Sequence, residues 1–433
     1  MSHKTNLLKL IIAILTLPGI ALGVLQCVSN NDKPNVVLIT VDTLRDDHLG
    51  YNGYLRNTSP NIDMLAREGI VFKNSYSQAG WTLPSFATIF TSLYPKDHLI
   101  TDWEIKLDDK LVTLPEVLAD NGYHTYGYPC LFAFDSSSGF EQGFEYYRLD
   151  VVHTGEFHER YTSPEVNAMV LGDIEDGLKE PFFLWIHYFD PHVRYLPHPE
   201  YRFGDSPKDL YDGEVAFTDW HIGEILESLK EHRQYDNSII ILTADHGEEF
   251  MDHGRTSHRT LYQEVIKTPL IIKVPGMSND LVDRYVSQID IAPTILNLCE
   301  LPVPGSWKGR NALAENAVEV PVYAERGGGE VVFQLAVIDN NMKLYEVIDI
   351  YADTSSARYK VETFYENENH LFDLKTDPLE RRELYGKMEY SRQLKTLHNL
   401  FGEFYEGDSS RLKGQIELSE ETSRKLKGLG YME

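Results

Sequence analysis

The run Val36-Val37-Leu38-Ile39-Thr40-Val41, entered through Pro34-Asn35 and closed by Asp42-Thr43, is the most informative stretch of this 433-residue chain. It is uncharged and mostly β-branched, which predicts a strand buried on both faces, as strands are in parallel sheets covered by helices. Similar runs from Phe182 to Ile186, Ile239 to Thr243 and Leu270 to Val274 repeat the signal. Helical patterns fall between them. One is Asp63 to Glu68; another, Pro84 to Leu93, opens with a proline suited to a first turn. A third, Glu214 to Lys230, carries Val215, Ile222, Ile225 and Leu229 at helical spacing. The alternation predicts an α/β fold over residues 34–315, with a central, mostly parallel sheet and helices on both faces. Beyond it, Val331 to Ile338, Lys343 to Ile350 and Val361 to Tyr365 read as strands, and Ser391 to Tyr405 as a helix. Residues 316–433 are therefore expected to form a smaller antiparallel sheet with a covering helix, entered by the turn Arg326-Gly327-Gly328-Gly329.

Composition narrows the function classes. An apolar content of 42%, with 12% aromatic residues, fills a large core and excludes global disorder. The 67 acidic residues outweigh the 40 basic ones, for a net charge of −27, and no Lys/Arg cluster interrupts this; nucleic acid is excluded as a partner. Three cysteines, Cys27, Cys130 and Cys299, rule out a disulfide framework and a cysteine-based zinc site. Cys299 falls on an apolar helix face and reads as core. At the N-terminus, Lys4 and Lys9 precede the apolar run Leu10 to Leu25, broken by Pro18-Gly19. That run is short for a membrane span and has the size of a secretory signal core. Residues 1–27 are thus expected to direct export to a periplasmic, extracellular or membrane-anchored location. Ala21-Leu22-Gly23 offers a cleavage site, and Val24-Leu25-Gln26-Cys27 loosely matches a lipoprotein box that would attach the chain to a membrane through Cys27. An uncleaved anchor is the third option.

Polar residues gather where strands end, the place where open α/β sheets bind ligands. Asp42 closes the first strand, Asp245-His246 follow the strand at Ile239, and His187, Asp190 and His192 lie in or just after the strand at Phe182. Thr82 stands at or beside a helix start, where amide dipoles favour an anion. Each has an ordinary reading: a strand-end aspartate as a turn or cap, Thr82 as a cap, His258 as a loop histidine, and His187, alternating with apolar neighbours, as a core histidine. Ser85 reads as a first-turn residue, Trp81 as packing and Asp252-His253-Gly254 as loop. Together, two carboxylates and an imidazole predict a site for one divalent ion: calcium, magnesium, manganese or zinc. Such an ion beside Thr82 would lower the pKa of its hydroxyl and stabilise the oxygens of a phosphate or sulfate ester. His192 and His258 are candidates to bind those oxygens or protonate the leaving group.

Longer stretches carry a family resemblance. Residues Pro34 to Tyr51, Thr58-Ser59-Pro60-Asn61-Ile62-Asp63 and Leu65-Ala66-Arg67-Glu68-Gly69 resemble the opening of a sulfatase. Tyr188-Phe189-Asp190-Pro191-His192, Glu214 to Asp219, Thr243-Ala244-Asp245-His246-Gly247-Glu248 and Pro269-Leu270-Ile271-Ile272 are similar to later landmarks in the same order. So are Asp290-Ile291-Ala292-Pro293-Thr294, Leu371-Phe372-Asp373-Leu374 and Leu426 to Tyr431. The resemblance implies the fold of the alkaline phosphatase superfamily. It implies metal ligation by Asp42, Thr82, Asp245 and His246, and oxyanion binding by His192 and His258. The chain departs from the pattern at four places. Thr43 stands where many sulfatases place a second aspartate ligand, and Cys130 about where many have a lysine. Thr82 stands where the family carries Cys or Ser, converted to formylglycine within a motif ending x-Pro-x-Arg; here Phe86 replaces the arginine. The resemblance therefore implies no formylglycine, Thr82 as nucleophile, and an ester hydrolase acting on a sulfate or, by its chemistry, a phosphate ester of a small molecule, glycan or lipid. Two other readings stay open: a phosphotransferase resembling phosphoethanolamine and glycerophosphate transferases, and an inactive anion-binding homologue.

Overall fold

A computed structural model describes residues 33–101, 105–150, 160–315, 317–327, 332–349 and 368–405. The expected export signal, the glycines after Gly327, the expected strand from Val361 to Tyr365 and the C-terminal Leu426 to Tyr431 lie outside the described residues. In chain order the strands of the large sheet are β1 Asn35–Val41, β2 Ile70–Tyr76, β3 His124–Tyr128, β4 Tyr146–Tyr147, β5 Phe182–Tyr188 and β6 Ser238–Ala244. A short hairpin, β7 Glu249–Phe250 with β8 Thr256–Ser257, precedes β9 Leu270–Lys273 and β10 Asp280–Ser287. The sheet runs β10-β2-β9-β6-β1-β5-β3-β4.

The opening run lies at the middle of this sheet, and every residue of β1 is buried. It pairs in parallel with β5 and β6, with Val41 opposite Tyr188 on one side and Ala244 on the other. That register brings Asp42 and Asp245, each one residue further on, to the same carboxyl edge. The Leu270 run is a real strand, but β9 runs antiparallel to both β2 and β6. An apolar run reports burial and not direction, so the sequence pattern could not separate the two. Both faces of the sheet are covered. Trp185 of β5 meets Phe86 and Phe90 of the helix Thr82–Thr91, while Tyr188 turns to the other face and donates to Asn167 of the helix Ser163–Asp176.

The second sheet is antiparallel and contains β11 Val322–Arg326, β12 Val332–Asp339, β13 Met342–Asp349 and β14 Asn369–Asp373, in that order. Its residues alternate between two apolar clusters, as a period of two requires. Leu335, Val337, Leu344 and Leu371 meet Leu397 and Phe401 of the helix Ser391–Tyr405. Ala336, Ile338, Tyr345 and Phe372 meet Leu261, Tyr262 and Val265 of the large unit. Fully buried Lys343 lies on that second side. Its Nζ forms an ion pair with Glu380 Oε1 at 2.7 Å and donates to the Leu261 carbonyl, and Glu380 Oε2 accepts from the Gln263 amide at 2.7 Å. Two buried charges that neutralise each other become costly when one is removed. Lys343→Met is expected to lower unfolding free energy by about 3–5 kcal/mol in a denaturant titration, and adding Glu380→Leu should restore part of the loss. A loss below about 1 kcal/mol would show that the pair is not held as a buried charge pair.

Candidate active site

Three elements deliver the site. Asp42 and Asp245 leave adjacent strands side by side, His246 follows, and Thr82 opens a helix whose N-cap, Trp81, is fully extended. The free amides of that first turn give it an electropositive end. Thr82 Oγ1 lies 3.5 Å from Asp42 Oδ2 and 3.4 Å from His246 Nε2. His246 Nε2 is in turn 3.8 Å from Asp42 Oδ1 and 3.4 Å from Asp245 Oδ2. Asp42, Asp245 and His246 are fully buried, and Thr82 is nearly so. The four residues that the family resemblance marked as ligands are therefore together.

Local bonding aims each of them. Asp245 Oδ1 accepts from the amides of Thr43 at 3.2 Å and His246 at 2.8 Å, leaving Oδ2 directed inward. The Nδ1–H of His246 faces the Gly247 carbonyl at 2.9 Å, which leaves the Nε2 lone pair toward Thr82. Gly247 is required here. A Cβ on it would stand 2.1 Å from the Glu264 carbonyl oxygen, and the loop is pinned there by bonds from the Glu248 amide to that oxygen and from the Gly247 amide to the Val265 carbonyl. Gln288 ties the same loop to the segment that leads into the Thr82 helix: its amide donates to the Ala244 and Asp245 carbonyls and its oxygen accepts from Ser77.

Thr43, in the place of a second aspartate, has φ +53° and turns its hydroxyl away to the Pro191 carbonyl at 2.9 Å. Its contribution is the backbone amide on Asp245. A left-handed conformation is costly for a β-branched residue, and such strain gathers at functional sites. Cys130 donates to the His187 carbonyl at 2.9 Å, and burial pushes its thiol pKa well up; it is a neutral brace where a lysine would bring charge. Ser85 bonds back to the Trp81 carbonyl at 2.9 Å and to Ser77, away from Asp42. Asp190 is a cap: it accepts from the amides of Thr162 and Ser163 at the start of the helix Ser163–Asp176.

His192 and His258 reach the site from two loops. The rings of His246 and His258 are 4.5 Å apart, and those of His258 and His192 are 5.3 Å apart. Burial, then the neighbouring histidine, holds His192 neutral, with its pKa down to about 3, and the same causes lower His258. The His258 side chain keeps 14% of its surface exposed, so the row of imidazoles leads from the buried cluster to solvent. The second sheet steadies this loop, since Gln334 donates to the Arg259 carbonyl at 2.9 Å.

Two residues had no assigned role in the sequence reading. Glu248 is buried with Oε1 3.6 Å from His258 Nδ1, and burial raises its pKa. The Asp-His-Gly-Glu order was its only signal. His187, read as a core histidine, is buried as expected, yet its Nε2 lies 3.7 Å from Asp42 Oδ2. One ligand atom from each of Asp42, His187 and Asp245 falls within 4.8 Å of the others. Asp42 Oδ1, Asp245 Oδ2 and His187 Nε2 are all buried without a hydrogen-bond partner among the described residues. Burial, and then the charge of Asp245, push the Asp42 pKa well above the carboxylate range. Orphaned acceptors with clashing charges in one dry spot are what a divalent cation satisfies, so these residues fit a metal ion.

Comparisons with known proteins identify the family. Residues 34–301 match the sulfatase family model, and residues 251–406 match that of the C-terminal region of N-sulphoglucosamine sulphohydrolase. The chain is 23% identical to the N-acetylglucosamine-6-O-sulfatase of Bacteroides thetaiotaomicron, over 93% of this chain and 92% of that protein. Among solved structures, a 2-O GAG sulfatase superposes with a TM-score of 0.73 at 18% identity, covering 90% of this chain and 95% of the other. The phosphonate monoester hydrolase of Agrobacterium radiobacter does so with a TM-score of 0.70 at 18% identity, covering 85% and 95%. The sulfatase match takes in β1, the helix that begins at Thr82, both strand-end aspartates and the row of histidines, and the chain belongs to the sulfatase family of the alkaline phosphatase superfamily, a family of ester hydrolases.

Proposed function

We propose that this chain is an exported, metal-dependent ester hydrolase that uses unmodified Thr82 as its nucleophile and prefers phosphoric to sulfuric esters. The observation that carries the reading is the position of Thr82 Oγ1, within 3.5 Å of both Asp42 and His246 at a helix N-terminus. A divalent ion held by Asp42, Asp245 and His246 would lower the pKa of that hydroxyl and polarise the ester. Thr82 Oγ1 then attacks phosphorus as the bond to the leaving oxygen breaks, giving a phosphothreonine and an alcohol. The alcohol takes the proton that Thr82 gives up, so the step draws none from His192 and His258, whose imidazoles burial holds neutral. Water next attacks phosphorus, the bond to Thr82 Oγ1 breaks, and phosphate leaves with the hydroxyl restored. The helix amides face the oxygens that gain charge in both steps.

Threonine decides between the two ester classes. An aldehyde hydrate carries a second hydroxyl on the same carbon, which can expel sulfate by breaking the carbon–oxygen bond. Threonine has a hydrogen and a methyl there, so its ester must be cleaved by attack on sulfur or phosphorus. Relatives and structural neighbours include both sulfatases of sulfated sugars and phosphonate monoester hydrolases, which supports a glycan-sized alcohol as leaving group and an acceptor site tolerant of phosphorus. The test is nitrophenol release from the sulfate, the phosphate monoester, the phosphodiester and a phosphonate monoester, using the metal-loaded chain. A phosphorus ester is expected to exceed the sulfate by about 100-fold or more in kcat/KM, equal to about 2.7 kcal/mol in the barrier. Sulfate as the fastest substrate would overturn the preference.

A further inference from the structure

We propose that His187 is a direct ligand of the metal, so that the site is built from two carboxylates and two imidazoles and selects zinc over calcium. His187 is not among the ligands that the family resemblance carried over. It lies on β5 opposite Thr40 of β1, and Thr40 and Asp42 point to the same face because they are two residues apart. The register therefore sets an imidazole beside the Asp42 carboxylate, deep on the sheet side of the site.

The bonds around the ring settle its tautomer. Thr40 Oγ1 donates its single proton to the Ile186 carbonyl at 3.1 Å and accepts from the Trp185 indole N–H at 3.0 Å. Its remaining lone pair faces His187 Nδ1 at 3.1 Å, so Nδ1 is the nitrogen that carries the proton. Nε2 keeps its lone pair and points at Asp42 Oδ2 across 3.7 Å. Two acceptors facing each other in a dry site repel, and 3.7 Å is too long for a hydrogen bond in either tautomer. It is the right span for two ligands of one ion. Donors each about 2.1 Å from a metal stand roughly 3 to 4 Å apart at ordinary coordination angles. The pairs His246 with Asp42 and His246 with Asp245 fall in the same range, at 3.8 and 3.4 Å. Phe86, Phe134 and Trp185 enclose the His187 ring, with centroids at 4.8, 5.6 and 6.2 Å, and fix its orientation. An outer-shell hydroxyl that sets the tautomer inside an aromatic wall is how proteins commonly prepare a metal-binding imidazole.

The donor set has a consequence for selectivity. Calcium takes six to eight oxygens and few nitrogens, whereas imidazole suits zinc, copper, iron and nickel. Turning Thr43 Oγ1 away to Pro191 removes a further oxygen from the site. The assignment rests on the metal-dependent reading of the site, but its readout is metal binding and not turnover, so chemically inert esters would leave it standing.

The test uses the chain freed of metal by a chelator and titrated separately with zinc and calcium by calorimetry or competition with a chromophoric chelator. Zinc is expected to bind at least about 100-fold more tightly than calcium. His187→Ala should weaken zinc by about 10–100-fold or more while changing calcium little. Pulsed electron paramagnetic resonance of the copper-loaded wild-type chain, which needs no variant, should count two coordinated imidazoles. One imidazole, or unchanged zinc affinity in a His187→Ala protein with a wild-type circular dichroism spectrum, would overturn the assignment. Calcium bound as tightly as zinc would overturn the selectivity.

Discussion

Thr82→Ala is expected to lower kcat/KM on the best ester by on the order of 10³- to 10⁶-fold, the range lost when a covalent nucleophile is removed from an otherwise intact site. The substitution takes away one hydroxyl and one methyl at the first position of a helix that stays packed through Phe86 and Phe90 against Trp185, so folding and metal binding should persist. Thr82→Ser keeps the oxygen and should retain at least a tenth of the activity. Rapid quenching of the wild-type chain with a phosphorus ester should trap phosphate on Thr82, and the alanine variant should trap none. Ser85 cannot rescue the reaction, because its hydroxyl is committed to the Trp81 carbonyl and to Ser77 on the far side of the helix start. An alanine variant with more than a tenth of wild-type turnover would remove Thr82 from the mechanism. Loss of activity in alanine with retention in serine, and no trapped phosphate, would leave Thr82 as a metal ligand only.

Much of the site could be read from sequence because its residues sit at strand ends. A β-branched run closed by Asp42, and another closed by Asp245-His246, state both the element and the edge on which the candidate ligands lie. What the runs do not state is pairing. That Asp42 and Asp245 are neighbours depends on β6 lying beside β1, and that β9 is antiparallel depends on the chain path between them. His187 shows the limit most clearly. Its alternation with Phe, Trp and Tyr places it correctly on a buried strand, and a buried histidine is most often core. Only the register with Thr40 and Asp42 shows that one ring nitrogen is fixed and the other is aimed at a carboxylate. Asp190 errs the other way. As a strand-end aspartate it resembled Asp42, yet three hydrogen bonds to Thr162 and Ser163 spend it on a helix start. Strand-end carboxylates divide by what faces them, amides or other carboxylates, and that is a tertiary fact.

Asp245→Asn is expected to abolish metal binding and, with it, at least about 10³-fold of turnover, while leaving the metal-free fold as stable as wild type or more so. The carboxylate has two different oxygens. Oδ1 accepts from two amides, and an asparagine carbonyl can replace it without moving the loop. Oδ2 has no hydrogen-bond partner among the described residues and faces His246 Nε2 at 3.4 Å. An amide nitrogen there would offer protons where an ion needs a lone pair. In the metal-free chain, Asp245 acts against its neighbour, because its charge adds to burial in pushing the Asp42 pKa up. A carboxyl with a raised folded-state pKa stabilises the fold below its unfolded pKa and loses that contribution as pH rises through the folded value. Metal-free wild type should therefore lose stability as pH climbs above the ordinary carboxylate range, and Asp245→Asn should flatten that slope. Metal reverses the comparison. An ion at 100 times its dissociation constant adds about 2.7 kcal/mol to wild type and nothing to a variant that cannot hold it. Thermal melts of both chains, with chelator and with metal, across pH 5 to 8 would thus show curves that cross, the variant higher without metal and wild type higher with it. If metal raised both melts equally, Asp245 would not be a ligand. If the metal-free variant were much less stable than wild type, the two carboxylates would not be the opposed pair that the buried geometry makes them.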